Sequence, residues 1–464
     1  MKTFFVRKNC WVCGICLLLF TAVASAQQKV YHLSELAAAA TTQLPIIKQK
    51  QALLNGAKAS LTDTRHSFLP QLKINDQVNL GTDNSLAGSY LPVGVNPSSS
   101  AGVRDDNIYQ PATGNFGVLY AEYELVDFGL RNAQLQKAQS YIDLQQSDLE
   151  RELYLLQADV ARTYLYLLKA EYRAGAELQS VKRYDSVFRV IKAVTASGIK
   201  PGSDSSLAKA ELSKAKILYN QTLGTIRLLK DQLSYLCGVP ATDLQVDSLA
   251  ESFSHKKLPG LNFSMDTAVN PLTEFFEKKN KTVLADQAVI RKTYLPKVLL
   301  AASTWVRGSG IQYNDEYTSL AKGLGYQRFN YMAGFAVTYN LFSGIYKKDK
   351  LAVNRYQLQA SEFELEQQKL SLSLSSTRAK DVLQTTEENL AELPVQLQAA
   401  ADTYLQKLAQ YKAGIISLID LTNASFVLYR SQTDYIETMS DWYLAQLDNA
   451  IATGHLSQFI QQLK

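Results

Sequence analysis

The side chains with the widest chemical repertoire are few and scattered. Four histidines, His32, His66, His255 and His455, lie far apart in a chain of 464 residues. None has a Glu or His partner at the spacing a metal site requires. There is no Gly-rich phosphate loop and no nucleophile elbow. Of the four cysteines, Cys10, Cys13 and Cys16 crowd the N-terminus and Cys237 stands alone. Once that N-terminus is removed, no intramolecular disulfide can form. These residues point to no catalysis, no cofactor and no metal. The most distinctive acids are Asp204 and Asp420, each six places after a glycine, Gly198 and Gly414. A left-handed glycine ends a helix. Ser203 or Asp204 can then cap the next helix, as can Ser417 or Asp420 in the second copy of the pattern. On these residues alone, capping and a functional role weigh equally.

Lys2, Arg7 and Lys8, the apolar run from Trp11 to Phe20, and Ala24-Ser25-Ala26 before Gln27 have the order of a secretory signal peptide, 1–26. The run is too short to span a bilayer. Ile15 is bulky where a lipoprotein site needs a small residue before Cys16, so no lipid anchor is expected. The net charge of +5 is partly supplied by that leader. No basic stripe offers a surface for nucleic acid. Beyond the leader no run of about 18 apolar residues occurs, so no transmembrane helix is expected. A membrane β-barrel gives a far weaker sequence signal and stays open.

The remainder repeats itself. Ser197-Gly198-Ile199-Lys200-Pro201-Gly202-Ser203-Asp204 answers to Ala413-Gly414-Ile415-Ile416-Ser417-Leu418-Ile419-Asp420, and the same offset relates Ala208 to Ala424 and Leu125 to Leu341. Phe68-Leu69-Pro70 resembles Tyr294-Leu295-Pro296 at a slightly different offset. An internal duplication is an architectural statement. Each copy reads as helix, two strands, long helix, turn, helix.

The strands carry period-two patterning. Leu72, Ile74, Val78 and Leu80 share a face that Asp76 interrupts, opposite Lys73, Asn75, Gln77 and Asn79. Phe329, Tyr331, Ala333, Phe335, Val337, Tyr339 and Leu341 face away from Asn330, Met332, Gly334, Ala336, Thr338 and Asn340. About ten residues of such alternation with aromatic ends suit a barrel strand with lipid outside and water inside. Gly117 to Leu125 and Lys297 to Val306 are the weaker partners. Polar loops, Thr82 to Asn115 and Arg307 to Arg328, separate the members of each pair. A soluble hairpin is the alternative. Four strands cannot close a barrel, since single-chain barrels start at about eight, and open edges are not tolerated in lipid. Several chains must therefore share one barrel, and three would give twelve strands.

Leu130 to about Ala193 and Tyr346 to Ala413 are rich in Ala, Leu, Gln, Glu and Lys, and only Pro394 marks a kink or irregularity. About 65 helical residues would reach about 95 Å. The shorter helices carry apolar residues every seven places, Leu212, Tyr219, Ile226 and Leu233, then Leu421, Leu428, Tyr435 and Trp442. That is a coiled-coil seam, although an ordinary bundle core would show it too.

Taken together, these segments resemble the TolC family of outer-membrane factors, from about Leu33 to Leu456. The resemblance rests on Leu69-Pro70 and Leu295-Pro296, on Glu124-Leu125-Val126-Asp127-Phe128-Gly129, on the segments Gly198 to Asp204 and Tyr411 to Asp420, and on Leu233-Ser234-Tyr235-Leu236-Cys237-Gly238. It implies an α+β membrane protein: a homotrimer whose twelve-strand outer-membrane barrel continues as a long periplasmic α-helical barrel. The expected parts are a first repeat over 27–240 and a linker over 241–270 that joins the C-terminal end in a belt around the middle. A second repeat follows over 271–464. Expected elements are strands near 70–81, 116–126, 296–307 and 328–341, and long helices near 130–195 and 346–412. Tip turns are expected near 196–204 and 413–419, and shorter helices near 205–237 and 420–453.

By the same resemblance the tips form a gate. The gate tyrosine falls on Tyr411 and the aperture aspartate on Asp420. A second aperture acid is Asn423 here, and the acceptor on the neighbouring hairpin is Asp204, preceded by Ser203. An arginine latch of some members is replaced by Ile416. A Tyr411 to Asp204 link is therefore expected without the charged latch, and weaker cation binding at the mouth. The implied function is the outer-membrane exit duct of a tripartite efflux pump or type I secretion system. The implied partners are an inner-membrane transporter of RND or ABC type and a periplasmic adaptor docking on the tip turns at Gly198, Gly202 and Gly414. The rival readings are a purely structural periplasmic coiled coil and a secreted enzyme or sugar-binding β-domain with helical decoration. Aromatic alternation from Phe329 speaks against the first, and the lack of clustered ionisable residues against the second.

Overall fold

The computed structural model describes residues 30–85, 103, 105–198, 201–246 and 270–463. The expected leader, His255, most of the 241–270 segment, residues 86–102 of the first strand loop, and Ile199-Lys200 lie outside the described residues.

Short strand β1 (Val30–Tyr31) precedes helices α1 (Leu33–Gln43) and α2 (Pro45–His66). Strands β2 (Gln71–Gly81) and β3 (Ala112–Val126) lead into α3 (Leu130–Ala196) and α4 (Gly202–Cys237). After β4 (Gln245–Val246), which pairs with β1 in parallel, the pattern recurs: α5 (Pro271–Thr293), β5 (Lys297–Ser309), β6 (Arg328–Thr338), α6 (Ser343–Lys412), α7 (Leu418–Thr453) and α8 (Leu456–Gln462).

The two long helices have 67 and 70 residues, so each reaches about 100 Å at 1.5 Å per residue. No proline interrupts α3, and α6 runs unbroken through Pro394, where the sequence predicted a kink or irregularity. Two shorter helices share the length of each long one. Lys50 of α2 pairs with Asp148 of α3 at 2.5 Å, and Lys230 of α4 pairs with Glu171 farther along at 3.6 Å. In the second half, α5 meets the strand-proximal end of α6, where the Asn354 amide donates to Val283 O at 3.1 Å. Helix α7 packs along the remainder, where the Ser376 hydroxyl donates to Asn449 Oδ1 at 2.9 Å.

The main core sits midway. Leu33 and Leu36 of α1, Tyr164, Leu165 and Leu168 of α3, Tyr443 and Leu447 of α7, and Phe459 of α8 are buried together. Burying each such side chain contributes about 1.5–3 kcal/mol, enough to fasten the C-terminal helix to the long ones. Cys237 lies in this core, and burial pushes its thiol up to about 12, which leaves it inert.

The four main strands form one antiparallel sheet in the order β2-β3-β5-β6. All four helix-proximal strand ends lie on one side and both long loops on the other. Directly paired residues share a face, so the register resolves the faces. One carries Leu72, Ile74, Leu119, Ala121, Val298, Leu300, Ala333, Phe335 and Val337. The other carries Lys73, Gln77, Glu122, Ser303, Arg307, Arg328 and Asn330. The apolar face is bare: Ile74 is 85% exposed and Phe335 72%.

Polar residues interrupt that apolar face only toward the loops, and there the chain covers them. The β5–β6 connection folds back so that Asn115 Nδ2 donates to Leu324 O at 2.8 Å and Thr113 Oγ1 donates to Leu320 O. The Tyr326 hydroxyl donates to Asp76. Gly308 and Gly323 allow this approach, since a Cβ on either would collide with backbone of the opposing segment. The expected break at Asp76 thus has a local partner.

Among the described residues no helix is long and apolar enough to cross a membrane.

Candidate functional site

The sequence placed its candidate residues at the two helical turns, and these lie at the end of the molecule farthest from the sheet. Gly198 and Gly414 both adopt φ of +75°, the left-handed geometry that closes a helix. At the second turn the motif is complete. Gly414 N donates to Tyr411 O and Ile415 N donates to Gln410 O, each at 3.0 Å.

The caps differ between the turns. Ser417 caps α7: Asp420 N donates to its Oγ at 3.2 Å, and Ser417 N donates back to Asp420 Oδ2 at 3.1 Å. This is a reciprocal capping box. At the first turn the expectation that Ser203 or Asp204 caps the helix is corrected. The N-cap is Pro201, with no side-chain cap bond, and α4 already begins at Gly202. Pro201 fixes an extended-to-helix transition two residues early, leaving Ser203 and Asp204 inside the first turn. The Asp204 carboxylate there still complements the helix dipole.

Tyr411 joins the two hairpins. Its ring packs with Ile191 of α3, Ala208 of α4 and Leu418 of α7 on one side, and with Tyr404 and Leu421 on the other. Burial raises its phenol pKa, and repulsion from the Asp204 carboxylate raises it further. Tyr411 and Asp204 are thus brought together across hairpins. A cavity of about 140 Å³ beside Tyr411 is lined by Arg183, Val187, Tyr404 and Leu408. Asp420, Asn423, Ser203 and Gly202 are exposed and stay apart from that contact.

Hydrogen bonds from Ser417 hold the Asp420 carboxyl below the usual carboxylate range, with Lys407 adding a smaller pull. A carboxylate with a depressed folded pKa contributes stability above its unfolded value of about 3.9, and that contribution disappears as pH falls through the folded value. Backbone amides at the start of α7 are therefore expected to lose hydrogen-exchange protection below about pH 4. Asp420→Asn should remove that step; an unchanged acid transition in the variant would contradict the assignment.

Sequence inspection missed a second feature. Arg162, Lys169 and Arg173 of α3 face Asp448, Asp441 and Glu437 of α7 at 2.6, 3.9 and 3.5 Å. The steps are seven and four residues on both helices, running in opposite directions. Farther toward the tips the Tyr429 hydroxyl donates to buried Glu177 at 3.2 Å. The seam between α3 and α7 is thus ionic midway and apolar at the tips. The spacing was visible as a charge pattern, but nothing in one dimension said that α3 and α7 are neighbours.

No curated protein sequence matches the chain. Residues 36–238 match the family model described as outer membrane efflux protein. Solved structures with the same fold include VceC from Vibrio cholerae, at TM-score 0.73 and 14% identity over 91% of this chain and 96% of that one. CmeC from Campylobacter jejuni aligns at TM-score 0.72 and 14% identity, covering 93% and 89%. The open state of MtrE from Neisseria gonorrhoeae aligns at 0.69 and 17%, covering 92% and 89%. The match over residues 36–238 and the fold shared over nearly the whole length with solved outer-membrane channels make this chain similar to the outer membrane efflux proteins.

Proposed function

We propose that three copies of this chain form a gated exit duct for a tripartite efflux pump or a type I secretion system. The observation that carries the reading is the sheet. It has an apolar face, a polar face and two strands, β2 and β6, whose outer edges have no partner within the described chain. Unpaired backbone is excluded from hydrocarbon, and four strands fall short of the smallest closed barrel. Three sheets would close twelve strands, with the apolar face to lipid and the polar face to water. The long helices would carry the lumen about 100 Å into the periplasm.

Tyr411, Asp204 and Asp420, with Ser203 and Asn423 nearby, are assigned to the gate. The tip turns at Gly198, Gly202 and Gly414 are assigned to an adaptor of an RND- or ABC-type transporter. The packed ring of Tyr411 ties the two hairpins together, so the gate is held by packing rather than by an arginine latch, whose position is taken by Ile416. Tyr411→Ala should open the duct. Reconstituted trimers are expected to gain conductance, and cells expressing the variant to admit a large antibiotic. Conductance equal to that of the unsubstituted protein would remove Tyr411 from the gate.

A further inference from the structure

We infer that the outer mouth of the duct carries a ring of arginines that binds anions, which makes anionic molecules its preferred cargo. The inference deepens the proposed function and rests on that reading. One cross-strand row on the polar face contains Gln77, Phe116, Arg307 and Arg328. Arg307 and Arg328 are directly paired, so two guanidiniums emerge side by side from adjacent strands. Like charges directly opposite one another destabilise a sheet, and no acid pairs with either among the described residues. Arg307 lies over the Phe116 ring at 5.1 Å, and Arg328 donates to the carbonyl of its neighbour Gln327 at 3.1 Å. Neither makes an ion pair among the described residues.

The rest of the face is different. Its acids, Glu122 and Glu124, lie at the helix-proximal end, where Tyr120 donates to Glu122 and Lys297 pairs with Glu124. Glu122 faces Ala301, six residues along β5 from Arg307. At about 3.3 Å per residue that is about 20 Å, more than twice the Debye length of about 8 Å at physiological salt. The strand acids therefore do not offset the arginine row. Both residues are exposed, on the polar face of the sheet. Closing three sheets would set six guanidiniums around the exit, each a planar fork that matches carboxylate, sulfate or phosphate oxygens.

The test uses full-length trimers in detergent and a trisulfonated pyrene dye, with binding read by fluorescence anisotropy at low ionic strength. Arg307→Gln with Arg328→Gln should weaken binding about tenfold or more, Arg307→Lys with Arg328→Lys should restore part of it, and Lys322→Gln on the opposite-face loop should leave it unchanged. Equal dye affinity in the unsubstituted protein and the double glutamine variant would overturn the ring. Light scattering on the same samples separates the two failures: trimers that bind no dye sink the anion site alone, whereas a monomer sinks the duct and the ring together. Should the double variant not assemble, Arg307→Gln alone is measured against the same expectation.

Discussion

Ala333→Arg is expected to abolish assembly in the outer membrane, while Met332→Arg, one residue earlier, is tolerated. Ala333 pairs with Ala302, which pairs with Ala121, in the middle of the uncovered apolar band. An arginine facing lipid at the midplane of a barrel costs about 2–4 kcal/mol, and a trimer incurs that cost three times. Alanine removes little packing when replaced, so the charge is the only new cost. Met332 pairs with Ser303 on the polar face, where a guanidinium remains in water. The readout is the fraction of each variant recovered as trimer from outer membranes after density-gradient separation. Equal recovery of both variants would mean that the two faces are not lipid and lumen.

Tyr443→Ala is expected to loosen the middle of the molecule by about 3–5 kcal/mol, the range for removing a fully buried aromatic ring. Tyr443 is 1% exposed and meets Trp442 edge-to-face at 5.1 Å. It belongs to the cluster that ties α1, α3, α7 and α8 together. A loss of that size is a large share of the 5–15 kcal/mol by which a domain is usually stable. The expected signature is a lower unfolding midpoint with early proteolysis at α8, and Tyr443→Phe should retain most of the stability. A Tyr443→Ala midpoint within a degree of the unsubstituted protein would show that the belt is held elsewhere.

The long helices were legible because nothing competes with their pattern: no glycine or proline breaks Leu130 to Thr163, and the observed helix starts at Leu130. The strands were legible from alternation, but their ends were not. The last strand was expected to continue to Leu341, yet it stops at Thr338. There the Asn340 side chain accepts from Phe342 N at 2.9 Å, and its carbonyl accepts from Ser343 N at 3.0 Å. An asparagine turn competes with the ladder and starts α6 three residues early. At the helical tips, Gly198, Gly414, Tyr411 and the Ser417–Asp420 box could be read locally, because caps are properties of adjacent residues. The Pro201 cap was missed because the polar pair after it drew the assignment. The α3–α7 ion pairs and the Arg307–Arg328 pair depend on which elements are neighbours, and that follows only from the fold.

The duct itself is tested most directly by the size and shape of the mature protein extracted from outer membranes, by light scattering and negative-stain imaging in detergent. A trimer forming a cylinder well over about 100 Å long, the length of one 67-residue helix at 1.5 Å per residue, is the predicted result. A compact monomer recovered from the soluble periplasm would contradict the barrel and every role assigned to the tips.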